Sequence, residues 1–252
     1  TWHEVWRSYW EEYLGSLAPF GKIVEHVTAR VPQYPIGVSG LTADRLAAIG
    51  PDRDRIQTIP NGIDYEKIRT TEPVVDGFDV LFAGRLIEDK RVDLLLQAFD
   101  RVVSEEMTLG IVGDGPKRAE LETLAGTLKC ADRITFTGFL EEYDDVLAQM
   151  RAASVFATPS TREGFGITAA EAMAAGCTVI GANHPDSAVG EVIGDAGFLA
   201  EPTVSAIGAV LDRVLSGERP PMNPIERAQQ FDWDQVTEDA TEAYTAAATG
   251  EW

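Results

Sequence analysis

Arg162-Glu163-Gly164-Phe165-Gly166-Ile167-Thr168-Ala169-Ala170-Glu171 is the segment whose residue types and spacing could do chemistry. It follows a short apolar run and a turn containing Pro159, and it opens a helical stretch that Gly176 ends. Gly164 and Gly166 permit positive φ and close backbone approach. The amides of Gly166, Ile167 and Thr168 then point outward at a helix N-terminus, a favourable seat for a phosphate. Glu171, one turn in, can accept hydrogen bonds from hydroxyls beside that phosphate. The competing reading is a capping arrangement with Glu171 paired to a nearby base.

A cationic segment, Gly84-Arg85-Leu86-Ile87-Glu88-Asp89-Lys90, follows an earlier strand-like run. Arg85 offers a planar fork and Lys90 a compact charge, a combination suited to a diphosphate. Its alternative is a solvated loop in which they pair with Glu88 and Asp89. Gly113-Asp114-Gly115-Pro116 reads by itself as a tight turn. Gly138-Phe139 places an aromatic where it could flank a base. Asp144-Asp145 reads as a helix cap. His26 and His184 show no metal-ligand spacing, and no metal is expected.

The elements that position these residues alternate regularly from about residue 78. Strands are expected at 79–83, 109–112, 134–137, 155–158, 178–181 and 198–200. Between them, Val92, Leu95, Leu96, Phe99, Val102 and Val103 keep helical spacing, as do Leu121, Leu124, Ala125 and Leu128, and Ile207, Val210, Leu211 and Val214. Such alternation means an α/β fold, a doubly wound parallel sheet with ligands beyond the strands' carboxyl ends. All four glycine-containing segments fall at those ends. Residues 1–60 differ: an aromatic opening, a helical stretch near Ile23 to Ala29, strands at 36–39 and 56–59, and a helix capped by Thr42. Two strands suggest the remnant of a second α/β domain. Asn223 to Ala248 reads as two helices.

The chain resembles the retaining GT-B glycosyltransferases of family 4. The resemblance is carried by Gly84-Arg85 with Lys90, Gly113-Asp114-Gly115-Pro116, and Glu163 paired with Glu171. Pro60-Asn61-Gly62-Ile63-Asp64 is similar to the family's interdomain signature, Ala174-Ala175-Gly176-Cys177-Thr178-Val179-Ile180 to the strand after the glutamate helix, and Phe231-Asp232-Trp233 to the closing helix. It implies an incomplete acceptor domain at 1–60, a Rossmann-like donor domain at 61–231 and a returning helix at 232–252, the chain being N-terminally truncated. It also implies that a nucleoside-diphosphate sugar is bound as substrate, without cofactor or metal, against Gly84, Gly113, Phe139, Gly166, Ile167, Thr168 and Glu171. Arg85 and Lys90 would neutralise the diphosphate, Glu171 would bind ribose hydroxyls, and Glu163 the transferred sugar. Thr1-Trp2-His3-Glu4 resembles the segment placing a histidine near that sugar, although His3 reads equally as a histidine without duty. Transfer would retain configuration, by a front-face route through an oxocarbenium-like state, to a glycan, lipid-linked or small-molecule acceptor. Residues 182–191 depart from the family's double glycine, which leaves sugar selectivity open. The rivals are a nucleotide-sugar binding module without transfer and a nucleotide-sugar epimerase. A dinucleotide-dependent dehydrogenase is weaker, because no Gly-x-Gly-x-x-Gly follows a strand.

Composition bounds the partners. Against 41 Asp and Glu stand 21 Lys and Arg, a net charge of −20, which repels nucleic acid and anionic lipid. Only five lysines occur, at 22, 67, 90, 117 and 129, and the acid-rich, lysine-poor composition suits high salt. Cys130 and Cys177 read as buried thiols of a cytoplasmic protein. An apolar underside is expected on the remnant domain, inviting a homodimer or partial disorder.

Overall fold

The computed structural model describes residues 1–31, 33–102, 106–250 and 252; the expected helical position Val103 lies outside them. The chain forms two compact units, residues 1–61 with 234–252, and residues 62–233.

In the first unit, α1 (Tyr9–Leu14) and α2 (Ala18–Arg30) precede a pair of short parallel strands, β1 (Ile36–Gly37) and β2 (Gln57–Thr58), joined through α3 (Gly40–Ala47). The expected strands are thus cut to two residues each. The expected cap of α3 is corrected: Ser39, with extended backbone, accepts the Thr42 amide at 3.0 Å, while Thr42 lies inside the helix. One face of α2 is apolar and exposed, with Phe20, Ile23, Val24 and Val27 each at least 60% accessible. The returning helix, Trp233–Thr249, sets Val236 and Ala243 against Ile36 and Ile59.

In the second unit, α4 (Tyr65–Thr70) leads to six strands, all parallel: β3 (Val80–Ala83), β4 (Leu109–Val112), β5 (Ile134–Gly138), β6 (Val155–Thr158), β7 (Thr178–Ala182) and β8 (Gly197–Ala200). Their crossovers are α5 (Val92–Val102), α6 (Arg118–Ala125), α7 (Tyr143–Ala152), α8 (Ile167–Ala175) and α9 (Val189–Ile193), and the unit continues through α10 (Val204–Leu215) and α11 (Pro224–Gln229) to α12 (Trp233–Thr249). The order β5-β4-β3-β6-β7-β8 is doubly wound, with its switch point between β3 and β6. Val80, Phe82, Leu109 and Ile111 pack under α5 and α10. Leu81, Phe156 and Val179, on the alternate pleat, are equally inaccessible. Burial of both faces is why these strands read as continuous apolar runs. Ile63 closes the unit on itself: its amide donates to Phe231 at 2.8 Å and its carbonyl accepts from Trp233 at 3.1 Å. Both cysteines are buried and free, and burial raises the Cys177 thiol to about 12. Among the described residues no helix is long and apolar enough to cross a membrane.

Candidate active site

The carboxyl ends of β3, β4 and β5 are stitched together beyond the sheet. Gly84 donates to the Val112 carbonyl at 3.0 Å, Gly113 to Gly138 at 2.8 Å, and Leu86 to Asp114 at 2.9 Å. The approach demands glycine: at Gly113, whose φ is 127°, a Cβ would lie 2.0 Å from the Gly84 carbonyl oxygen. Across the switch point, Gly166 takes φ of 98° and precedes the first turn of α8 without a side-chain cap. Ile167 and Thr168 amides therefore lack acceptors among the described residues, the arrangement that suits an anion.

These ends enclose a cleft of about 440 Å³, lined by Gly84, Arg85, Gly113, Phe139, Tyr143 and Thr168 among others. Arg85 is exposed and forms no ion pair among the described residues. Phe139, which lines this cleft, is 74% accessible.

Lys90 and Glu163 are brought together as an ion pair, both mostly buried. This corrects the alternative loop reading, because Glu88 pairs with Lys117 at 2.5 Å and the Asp89 carbonyl accepts the Thr161 amide at 2.9 Å. Glu163 is itself pinned: its amide donates to Asp186 at 3.2 Å and its carbonyl accepts from Ala188 at 2.9 Å. The loop after β7 thus sets the position of Glu163.

Glu171 sits in a helix that is otherwise alanine, methionine, isoleucine and threonine, and it is only 5% accessible. Among the described residues its Oε2 has no hydrogen-bond partner. Burial raises its pKa to about 7. The capping alternative is not what is seen, since no base pairs with it among the described residues. Sequence reasoning missed Tyr143 and assigned the adjacent Asp144-Asp145 as the cap of α7. Glu142 occupies the cap position without a side-chain bond, and Asp144 instead pairs with Lys67 of α4.

His3 lies exposed in the first unit. No cluster of three His, Cys, Asp or Glu side chains among the described residues is placed to hold a metal.

The doubly wound parallel sheet defines an α/β protein of the class whose ligand edge lies beyond the strands' carboxyl ends. Residues 64–231 match the family described as glycosyl transferases group 1, and the chain belongs to that family. It is 31% identical over 197 residues to the 2-deoxystreptamine glucosyltransferase of Streptomyces kanamyceticus, covering 75% of this chain and 50% of that protein. It is 30% identical over 223 residues to a phosphatidyl-myo-inositol mannosyltransferase of Mycobacterium leprae, covering 81% and 56%. Its fold is similar to HepE of Anabaena, solved in complex with UDP, with a TM-score of 0.75 at 21% identity over 89% of this chain and 67% of that one. The chain thus spans about half the length of the curated relatives it matches.

Proposed function

We propose that the second unit binds a nucleoside-diphosphate sugar and that the protein transfers its sugar with retention of configuration. The observation that carries this reading is the buried Glu171 carboxylate with its unpartnered Oε2, one turn inside a helix whose first amides are unsatisfied. A phosphate at those amides brings ribose hydroxyls within reach of Glu171. Phe139 offers a face to the base. Arg85 faces the diphosphate and stabilises negative charge on the departing nucleotide, the electrostatic work that dominates such transfers. Lys90 and Glu163 neutralise one another, so a diphosphate that draws Lys90 to itself leaves Glu163 free to accept from a sugar hydroxyl.

Support for a transferase comes from the family and from the named activities of the relatives. Transfer also needs an acceptor held in line and water excluded. Among the described residues the first unit contributes a two-stranded sheet and no more, and we read this chain as the donor-binding part of a longer enzyme. Calorimetry with uridine, guanosine and adenosine diphosphate sugars should give measurable affinity for at least one, while a transfer assay with the 252-residue chain stays at background. Absence of affinity for all three removes the donor reading; robust transfer removes the partial-enzyme reading.

A further inference from the structure

We infer that His184 is a positioning residue for Glu163: its ring folds the segment after β7 into the turn that grips the Glu163 backbone, and so governs how firmly the transferred sugar is held. The inference rests on the donor reading above. It gives a role to the stretch, residues 182–191, that departs from the family's double glycine.

The backbone around Glu163 has little stiffness of its own. Gly164 follows it directly and Gly166 lies two residues further on, the residue type that restricts the chain least. The position is therefore set by bonds from outside. Just before it, the Thr161 amide donates to the Asp89 carbonyl at 2.9 Å. At Glu163 itself, the amide donates to the Asp186 carbonyl at 3.2 Å and the carbonyl accepts the Ala188 amide at 2.9 Å. These two bonds form a parallel bridge between Glu163 and Ser187. Whatever shapes residues 183–188 thus fixes the backbone that carries the Glu163 carboxylate to Lys90.

His184 supplies that shape. Asn183 leaves β7 fastened to the end of β8, its amide donating to the Ala200 carbonyl at 2.7 Å and its side chain to Glu201 at 2.8 Å. His184-Pro185-Asp186-Ser187 then turns, the Ser187 amide donating to the His184 carbonyl at 3.0 Å. Proline in the second place presets the turn and has no N–H, so the first donor inside the turn is the Asp186 amide. His184 Nδ1 accepts it at 3.1 Å. Accepting from the amide two residues on is what aspartate or asparagine does in an Asx turn, and Nδ1 stands as many bonds from the backbone as an asparagine Oδ1. Because the amide is the donor, Nδ1 carries a lone pair and the ring hydrogen lies on Nε2. Asp186 is held at its amide by His184 and gives its carbonyl to Glu163. In the donor reading Glu163 accepts from a sugar hydroxyl, while other groups hold the base, ribose and diphosphate. His184 therefore preorganises the sugar contact alone.

The test uses the unaltered chain, His184→Ala and His184→Asn. Without ligand, amide hydrogen exchange over residues 161–166 should quicken about fivefold in His184→Ala, the loss of one neutral hydrogen bond, with β6 and β7 unchanged. His184→Asn, which keeps the acceptor, should restore it. Calorimetry then compares uridine and guanosine diphosphate, each free and as its glucose ester. His184→Ala should leave the affinity for the free nucleotides unchanged and weaken that for the bound ester about fivefold, with recovery in His184→Asn. Unchanged exchange in His184→Ala, no rescue by His184→Asn, or equal effects on free nucleotide and ester each overturn the positioning role. If no nucleotide binds the unaltered chain, the donor reading fails, and hydrogen exchange alone still decides whether His184 fixes Glu163.

Discussion

Glu171 is the only titratable residue in α8, and its environment sets a measurable cost. Below its ordinary value of 4.5 the carboxyl is protonated in both folded and unfolded chains and contributes no difference. Between 4.5 and about 7 the unfolded chain releases the proton that the folded chain keeps. The folded state then binds more protons, so stability falls as pH rises through this window and levels off above it. Glu171→Gln should therefore be more stable than the unaltered chain at pH 8, on the order of 1–3 kcal/mol, and indistinguishable near pH 4. Melting temperature against pH measures this directly. Stability gained together with nucleotide affinity lost is the signature of a residue kept for binding. Arg91 offers a second case. It takes φ of 48° directly after Lys90, and its guanidinium meets both Asp93 oxygens at 3.1 Å. Arg91→Ala keeps the left-handed backbone and loses the pair, and should cost about 1–2 kcal/mol in denaturant unfolding. Arg91→Gly loses the same pair but relieves the backbone, and should lie closer to the unaltered chain.

At the scale of elements, the two glycine turns that shape the cleft differ in what they tolerate. Gly166→Ala meets only the Val189 Cγ2 at 3.3 Å; its cost is the left-handed backbone, about 1–2 kcal/mol. Gly113→Ala meets the Gly84 carbonyl oxygen, which cannot yield without breaking the β3–β4 stitching, and should cost about 3 kcal/mol or more. Guanidinium unfolding of the two variants gives the order, and equal effects would show that the turns are looser than drawn. These elements were legible in the sequence for a simple reason. A parallel strand buried on both faces must be apolar throughout, and its helices must carry a spaced apolar stripe, so β3 to β8 and α5 announce themselves. Glycines at strand ends did so too. The caps were less legible, because whether Ser39 or Thr42 caps α3 depends on which residue has extended backbone. Partners distant in sequence left no signal at all. Nothing near Lys90 points to Glu163, 73 positions away, and nothing in Glu142-Tyr143-Asp144 distinguishes a tyrosine that will line the cleft from an ordinary surface residue.

At the scale of the whole molecule, the excess of 20 negative charges sets how stability responds to salt. Basic side chains are already engaged in many places: Lys22 with Glu11, Arg53 with Asp44, Lys117 with Glu88 and Glu120, Arg118 with Asp114 and Glu122, Arg213 with Glu218. Such exposed pairs each contribute little, and 21 basic side chains cannot neutralise 41 acidic ones. Repulsion among those carboxylates favours expansion of the chain. Salt acts on this repulsion through the Debye length, which falls from about 10 Å at 0.1 M to about 3 Å at 1 M. Melting temperature should accordingly climb through that range, most steeply at its lower end, and flatten once neighbouring carboxylates are screened. The exposed apolar face of α2 adds a second response, because salting-out ions strengthen apolar contact. The two are separable. Screening depends on ionic strength and saturates, whereas salting-out depends on the anion and continues to rise with concentration. Sodium chloride and sodium sulfate at matched ionic strength should therefore give coincident melting curves below about 0.5 M and diverge above it, with light scattering reporting any association through α2. A flat or falling chloride curve would show that the acidic surface costs the folded chain nothing, and the high-salt reading of its composition would go with it.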